Sequence, residues 1–141
     1  MRLSMAAELA VRGILCLAER YGQGPVPIDE ICRTRCLPKQ YLTKIFALLT
    51  RADLVSPLRG KGGGYVLARD PKDITLLAVV EAVEGPLALN LCLHTPPKCE
   101  RHECRVRPLW AEIQESVRRV LSSKSLAELV GDGLAHAERR R

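Results

Sequence analysis

Long hydrophobic runs are what this sequence lacks most plainly. Across 141 residues the longest stretch without Lys, Arg, Asp or Glu runs from Gly85 to Pro97 and contains three prolines. It falls short of the roughly 20 apolar residues that a bilayer span requires. A transmembrane helix is therefore excluded. Nor is a secretory leader expected, because Glu8 and Arg12 interrupt the apolar stretch behind Met1-Arg2 that such a leader keeps continuous. Catalytic signatures are missing too. There is no Ser-His-Asp order, no paired catalytic carboxylates and no His-Glu-x-x-His spacing, and the histidines have no evident general base beside them, so an enzyme is not expected. Aromatic residues number only five. What remains is a chain of one domain, or one domain with an appendage, expected in the cytoplasm. Six cysteines in a reducing compartment point to metal binding or redox chemistry rather than a disulfide scaffold. The formal charge of +6 suits a polyanionic partner.

Residues 4–20 read as a helix capped by Ser4 and apolar around most of its circumference (Met5, Leu9, Val11, Ile14, Leu15, Leu17). The run Gly22-Gln23-Gly24-Pro25-Val26-Pro27 breaks it. A short second helix follows, with Asp29 and Glu30 in its first turn and Ile28, Ile31 and Cys32 facing inward, ending near Cys36-Leu37. Pro38 suits the first turn of a third helix, whose Leu42, Ile45, Phe46 and Leu49 form an apolar stripe. Its other face carries Lys39, Gln40, Thr43, Lys44 and Arg51. Two short helices joined by a tight turn, the second with a basic back, make a helix-turn-helix candidate. Two strand-like runs, Leu54 to Leu58 and Tyr65 to Ala68, then flank the basic tip Arg59-Gly60-Lys61-Gly62-Gly63-Gly64. The pattern predicts a β-hairpin wing that reaches an adjacent stretch of nucleic acid. A flexible loop is the plain alternative for the glycines. A nucleotide-binding loop fails because the Gly-Lys-Ser/Thr order is absent and no helix begins there.

Thr75 caps a fourth helix with Leu76, Val79, Val80 and Val83 at helical spacing, stopped by Gly85-Pro86. No periodicity is sustained from there to residue 107. A loop this long in a small domain is functional, metal-organised or disordered. It holds Cys92, Cys99 and Cys104, with six and four residues between them. Three thiolates so close suit iron–sulfur or zinc, and His94 or His102 could complete a zinc site. Cys16, Cys32 and Cys36 read as small buried hydrophobes. From Pro108 a last long helix carries Trp110, Ile113, Val117, Val120 and Leu121 along one side, an arrangement suited to packing on a second copy.

The wing Arg59-Gly60-Lys61-Gly62-Gly63-Gly64-Tyr65, continued by Ala68-Arg69 and Glu81-Ala82-Val83-Glu84-Gly85, closely resembles the Rrf-two family of bacterial winged-helix regulators that includes IscR, NsrR and RirA. The resemblance runs from Met1 to about Val130. It implies a homodimeric transcription factor, usually a repressor, on a roughly palindromic double-stranded operator, with an iron–sulfur cluster controlling binding. The fold it implies is mainly α with a small β-hairpin wing: a winged helix-turn-helix over 1–85, a cluster loop over 86–107, a dimerisation helix and C-terminal segment over 108–134, and a frayed basic tail over 135–141. The cluster, a 4Fe-4S cubane in preference to 2Fe-2S, falls on Cys92, Cys99 and Cys104. Arg107 stands where IscR-like members place a histidine, and a guanidinium has no lone pair to offer. Some three-cysteine relatives complete the site with a carboxylate from the first helix of the other subunit, a position Glu8 matches. The alternatives for Glu8 are an ordinary helix ion pair with Arg12 or, for the ligand, water, His94 or His102. Positions 38, 40 and 43 lie where the family reads bases, so Pro38, Gln40 and Thr43 inherit that role. Lys39, Lys44, Arg59 and Lys61 are expected to neutralise phosphates. A cluster-free regulator with a thiol switch and a zinc-stabilised interaction module are the competing readings.

Overall fold

Ser4 does cap the first helix. In the computed structural model of the chain, which describes residues 3–101 and 103–131, Ser4 is extended and its hydroxyl accepts the Ala7 N–H at 3.1 Å. The helix, α1 (Met5–Glu19), buries Ala7, Leu9, Ala10, Ile14 and Leu17 and packs against most of the elements that follow. Gly13 sits where it crosses the third helix. A methyl group there would stand 2.9 Å from Phe46 Cε1, so only glycine lets the two helices approach this closely.

Next come α2 (Ile28–Arg35) and α3 (Lys39–Arg51). The apolar stripe of α3 behaves as its spacing predicts: Leu42, Phe46 and Leu49 are fully buried and Ile45 nearly so. Pro38 is not inside the first turn but at the N-cap, where its carbonyl accepts the Leu42 N–H at 3.0 Å. The wing is an antiparallel pair, β1 (Val55–Leu58) and β2 (Gly64–Leu67), with Val55 opposite Leu67 and Leu58 opposite Gly64. The Tyr65 ring meets Phe46 edge-on, centroids 4.7 Å apart, which ties the wing to α3.

Two connections depart from the sequence reading. Val26, expected to lie in a turn-forming run, exchanges both backbone hydrogen bonds with Tyr65 at 2.9 Å and so adds a one-residue third strand to the wing. Its pairing partner lies 39 positions away, beyond the reach of local turn propensity. The C-terminal segment also differs from a helix with a trailing end. The fourth helix, α4 (Leu76–Glu84), is capped by Thr75 and stopped by Gly85 at φ 80°. The long helix, α5 (Arg107–Ser122), packs on it. Beyond α5 the chain turns back, and the Leu126 N–H donates to the Ile74 carbonyl at 2.9 Å. Residues 126–131 are helical, and Leu126 is 0% exposed. Leu126 thus packs in the same core cluster as the residues of the N-terminal unit. The tail expected over 135–141 lies outside the described residues.

Candidate nucleic-acid interface and cysteine loop

The turn between α2 and α3 is tight because Cys36 takes a left-handed conformation (φ 54°) and the Leu37 N–H reaches back to the Cys32 carbonyl at 2.9 Å. Glycine is the usual residue at this place in a helix stop. The three cysteines expected to be buried therefore divide. Cys16 is buried, Cys32 is half-buried, and Cys36 is exposed because the left-handed turn points away from the core. Burial pushes the Cys32 thiol above its ordinary pKa, with the Asp29 carboxylate adding to the effect.

Opposite the buried stripe, Pro38, Lys39, Gln40, Thr43 and Lys44 are all exposed on one side of α3. Lys39 is already engaged: its Nζ lies 2.8 Å from Asp29 Oδ1. That hydrogen bond raises the Lys39 pKa and neutralises part of the charge it offers to a phosphate. The Thr43 hydroxyl donates to the Lys39 carbonyl at 2.9 Å, leaving its methyl and oxygen lone pairs outward. Tyr41, 61% exposed among these residues, was missed from the sequence. Its position off the Leu42/Ile45/Phe46/Leu49 stripe was the signal available. The wing tip is closely packed at Gly63 and Gly64, whereas Gly60 and Gly62 face open space. A methyl group at Gly63 would stand 2.2 Å from the Leu58 carbonyl oxygen, and one at Gly64 would stand 2.3 Å from that of Val26, so backbone packs directly on backbone there. Arg59 and Lys61 project from this tight turn, exposed. Among the described residues, no ion pair engages Lys44, Arg59 or Lys61.

Between Gly85 and α5, Cys92 lies in a single 3-10 turn (Leu91–Leu93), Cys99 in irregular chain, and Cys104 just before α5, its carbonyl accepting the Arg107 N–H at 3.3 Å. All three are half-buried free thiols. The loop is fastened at two points, by the Lys98 N–H to the Leu91 carbonyl at 2.8 Å and by the Leu89 N–H to Gln114 Oε1 of α5 at 3.0 Å. Among the described residues, no three His, Cys, Asp or Glu side chains come together in a way that could hold a metal ion. The donors fit an iron–sulfur group in kind, as soft thiolates on one loop, but a metal would have to draw them together. His94 is half-buried beside them, and His102 lies outside the described residues. Glu8 sits elsewhere in the chain, exposed in a groove between α1 and α4 lined by Leu3, Val11, Arg12, Leu76 and Val80. Among the described residues, none from the cysteine loop lines that groove. Among the described residues no ion pair joins Glu8 to Arg12, so the plain alternative for Glu8 is not formed.

An exposed polar and basic face on the second helix of a tight helix-turn-helix, flanked by a β-hairpin wing with close backbone packing at Gly63 and Gly64, defines a winged-helix DNA-binding protein. The Rrf2 family, described as iron-dependent transcriptional regulators, matches residues 3–132. The chain belongs to that family. It is 33% identical over 132 residues to the HTH-type transcriptional regulator IscR of Sodalis glossinidius, covering 94% of this chain and 80% of that one. With the IscR of Serratia proteamaculans it shares 32% over 142 residues, covering 99% and 87%. Among solved structures, CymR, the global cysteine regulator of B. subtilis, superposes with a TM-score of 0.80 at 30% identity, covering 93% and 97%. The T. potens IscR superposes at 0.78 with 29% identity, covering 94% and 88%. The chain is thus a helix-turn-helix transcriptional regulator and not an enzyme.

Proposed function

We propose that this regulator binds a palindromic operator as a homodimer, acts as a cytoplasmic repressor, and is switched by an iron–sulfur cluster held on Cys92, Cys99 and Cys104, with Glu8 of the partner subunit as fourth ligand. The observation that carries the reading is the presence of three free, half-buried thiols on the one long loop, which is fastened to α5. Such a cluster supplies a group that oxidants, nitric oxide or iron scarcity attack or remove. The chain's own residues do the rest. In this reading Gln40 pairs two-fold with adenine, Thr43 meets a thymine methyl, Pro38 shares the base-reading role, and Lys39, Lys44, Arg59 and Lys61 set affinity through phosphates. Dimerisation rests on α5. It has no buried residue, Leu109 is 54% and Val120 65% exposed, and Ile113 and Val117 line the same apolar groove.

Anaerobic purification followed by visible absorption and iron and sulfide assays tests the ligand set. Wild type should be brown, each of Cys92→Ser, Cys99→Ser and Cys104→Ser should lose the colour, and Glu8→Ala should alter the spectrum where Arg12→Ala does not. A colourless, zinc-containing wild type would overturn it. One specific observation favours a second reading, a thiol switch without a metal: no three-ligand group is assembled among the described residues, and the fold superposes on CymR, including an oxidized form from Staphylococcus aureus at a TM-score of 0.75 and 25% identity, covering 92% of this chain and 96% of that one. Colourless protein whose operator affinity follows oxidant would select that reading.

A further inference from the structure

We infer that the last turn of α4 is the joint that couples the cysteine loop to the DNA-binding helices, with Glu81 and Glu84 as its positioning residues. The inference deepens the regulator reading above and rests on it. Its first half is a clasp between the loop, α5 and α4. Gln114 of α5 accepts the loop's Leu89 N–H, and one turn further along the same helix Arg118 pairs with Glu81. Residues four apart share a helix face, so one side of α5 grips the loop and α4 at once. The Arg118 and Glu81 side chains are 36% and 27% exposed, which screens their attraction less than that of a fully solvated pair.

The second half is a cap supplied from another helix. Ser4 caps α1, and in the usual reciprocal arrangement a Glu or Gln at the third helical position reaches back to the cap's own N–H. That position is Ala7, which has no acceptor to offer. Glu84 Oε1 takes its place from α4, accepting the Ser4 N–H at 2.7 Å. A carboxylate there also complements the positive end of α1. The two carboxylates lie three residues apart, one directed at α5 and the other at α1. From α1 the contact continues to α3 at Gly13 and Phe46, without room for a methyl group between them.

Gly85 follows Glu84 directly, at φ 80°, and the cysteine loop begins at the next residue. Any rearrangement that draws Cys92, Cys99 and Cys104 together therefore acts on this turn twice: through the backbone at Gly85, and through Leu89, Gln114 and Arg118 at Glu81. Glu84 passes the displacement to the first turn of α1, which also bears Glu8. These contacts form one unbroken path from the loop to α1, and the coupling requires this turn to have two arrangements that both ends bias, which the experiment below tests.

The experiment measures operator affinity of the full-length protein with its cluster and after the cluster is removed, in wild type, Glu81→Ala, Glu84→Ala, Arg118→Glu and the swap Glu81→Arg with Arg118→Glu. Iron and sulfide per chain and thermal unfolding are followed in each. Allosteric couplings change affinity by roughly 5- to 150-fold between states. The inference expects that ratio to fall toward unity in the three single variants with cluster content unchanged, and to recover in the swap. A ratio that stays at the wild-type value in Glu81→Ala and Glu84→Ala overturns the joint and leaves the regulator reading standing. A wild type that shows no ratio between its two states overturns both.

Discussion

Among the described residues, every buried one lies in the winged-helix body or in the segment near Leu126 that returns to it, whereas the loop after Gly85 and the whole of α5 contain none. Both regions have defined backbone, but only the body makes its own interior. Around Phe46, Leu42, Ile14 and Leu49 the folding free energy comes from apolar area removed from water. In α5 the apolar stripe is formed and still wet. On the reading proposed above, a second copy covers the stripe of α5 and a cluster gathers the cysteines. The comparison teaches that one chain builds the interior of the winged-helix body by itself, while the loop and α5 keep the surface that the proposed dimer and cluster would use.

The largest expected effect is on the body. Phe46→Ala removes the ring on which α1, α3 and β2 converge and should cost about 3–5 kcal/mol in chemical denaturation. Leu91→Ala, at a 59% exposed position in the loop, should stay within about 0.5 kcal/mol of wild type. Comparable losses at the two positions would erase the contrast. On α5, Ile113→Asp together with Val117→Asp should give monomers by light scattering, with weakened operator binding and a melting temperature close to that of the wild-type body. An unchanged dimer would show that the wet stripe is not the interface.

Much of the body was legible because its signals are local: the Ser4 and Thr75 caps, the 42/45/46/49 stripe, the glycines of the wing and the stop at Gly85. What escaped was non-local. The Val26–Tyr65 bridge and the return of Leu126 to Ile74 join residues far apart in sequence, and no periodicity encodes either. Exposure of Cys36 escaped because it follows from one left-handed residue in a turn, where the type of side chain gives no warning. The site divides the same way. The exposed face of α3 proposed for DNA follows from helix periodicity, although the engagement of Lys39 by Asp29 needed the third dimension. The cysteines were found as a set, but spacing along a loop carries no information about whether they meet.

Smaller effects sharpen the DNA side of the contrast. Arg59→Ala should weaken operator binding by about 1–3 kcal/mol if the side chain reads a base or enters the minor groove, whereas Lys61→Ala should weaken all sequences alike and reduce the salt slope by about 1. Titrations at several salt concentrations separate the two, and no change in either variant would take the wing out of the interface. The smallest effect concerns acid. The hydrogen bond from Arg20 holds the Glu30 carboxyl below its ordinary pKa. The unfolded chain therefore takes up that proton at higher pH than the folded one does. The contribution is complete above the ordinary glutamate value of about 4.3 and is lost as pH falls through the lowered one. Melting temperature followed against pH should show Glu30→Gln with a slightly shallower acid limb and no change in slope near neutrality. A steeper acid limb would contradict the assignment.

The central claim is that the body stays folded in both states while the loop and α5 carry the proposed switch, relayed to it through the last turn of α4. The most direct measurement is an anaerobic titration of a fluorescent operator with one preparation before and after its cluster is removed, with body unfolding monitored in both. The account predicts an affinity change of roughly 5-fold or more with the melting of the body unmoved. Equal affinities in the two states, or a loss of affinity matched by unfolding of the body, would contradict it.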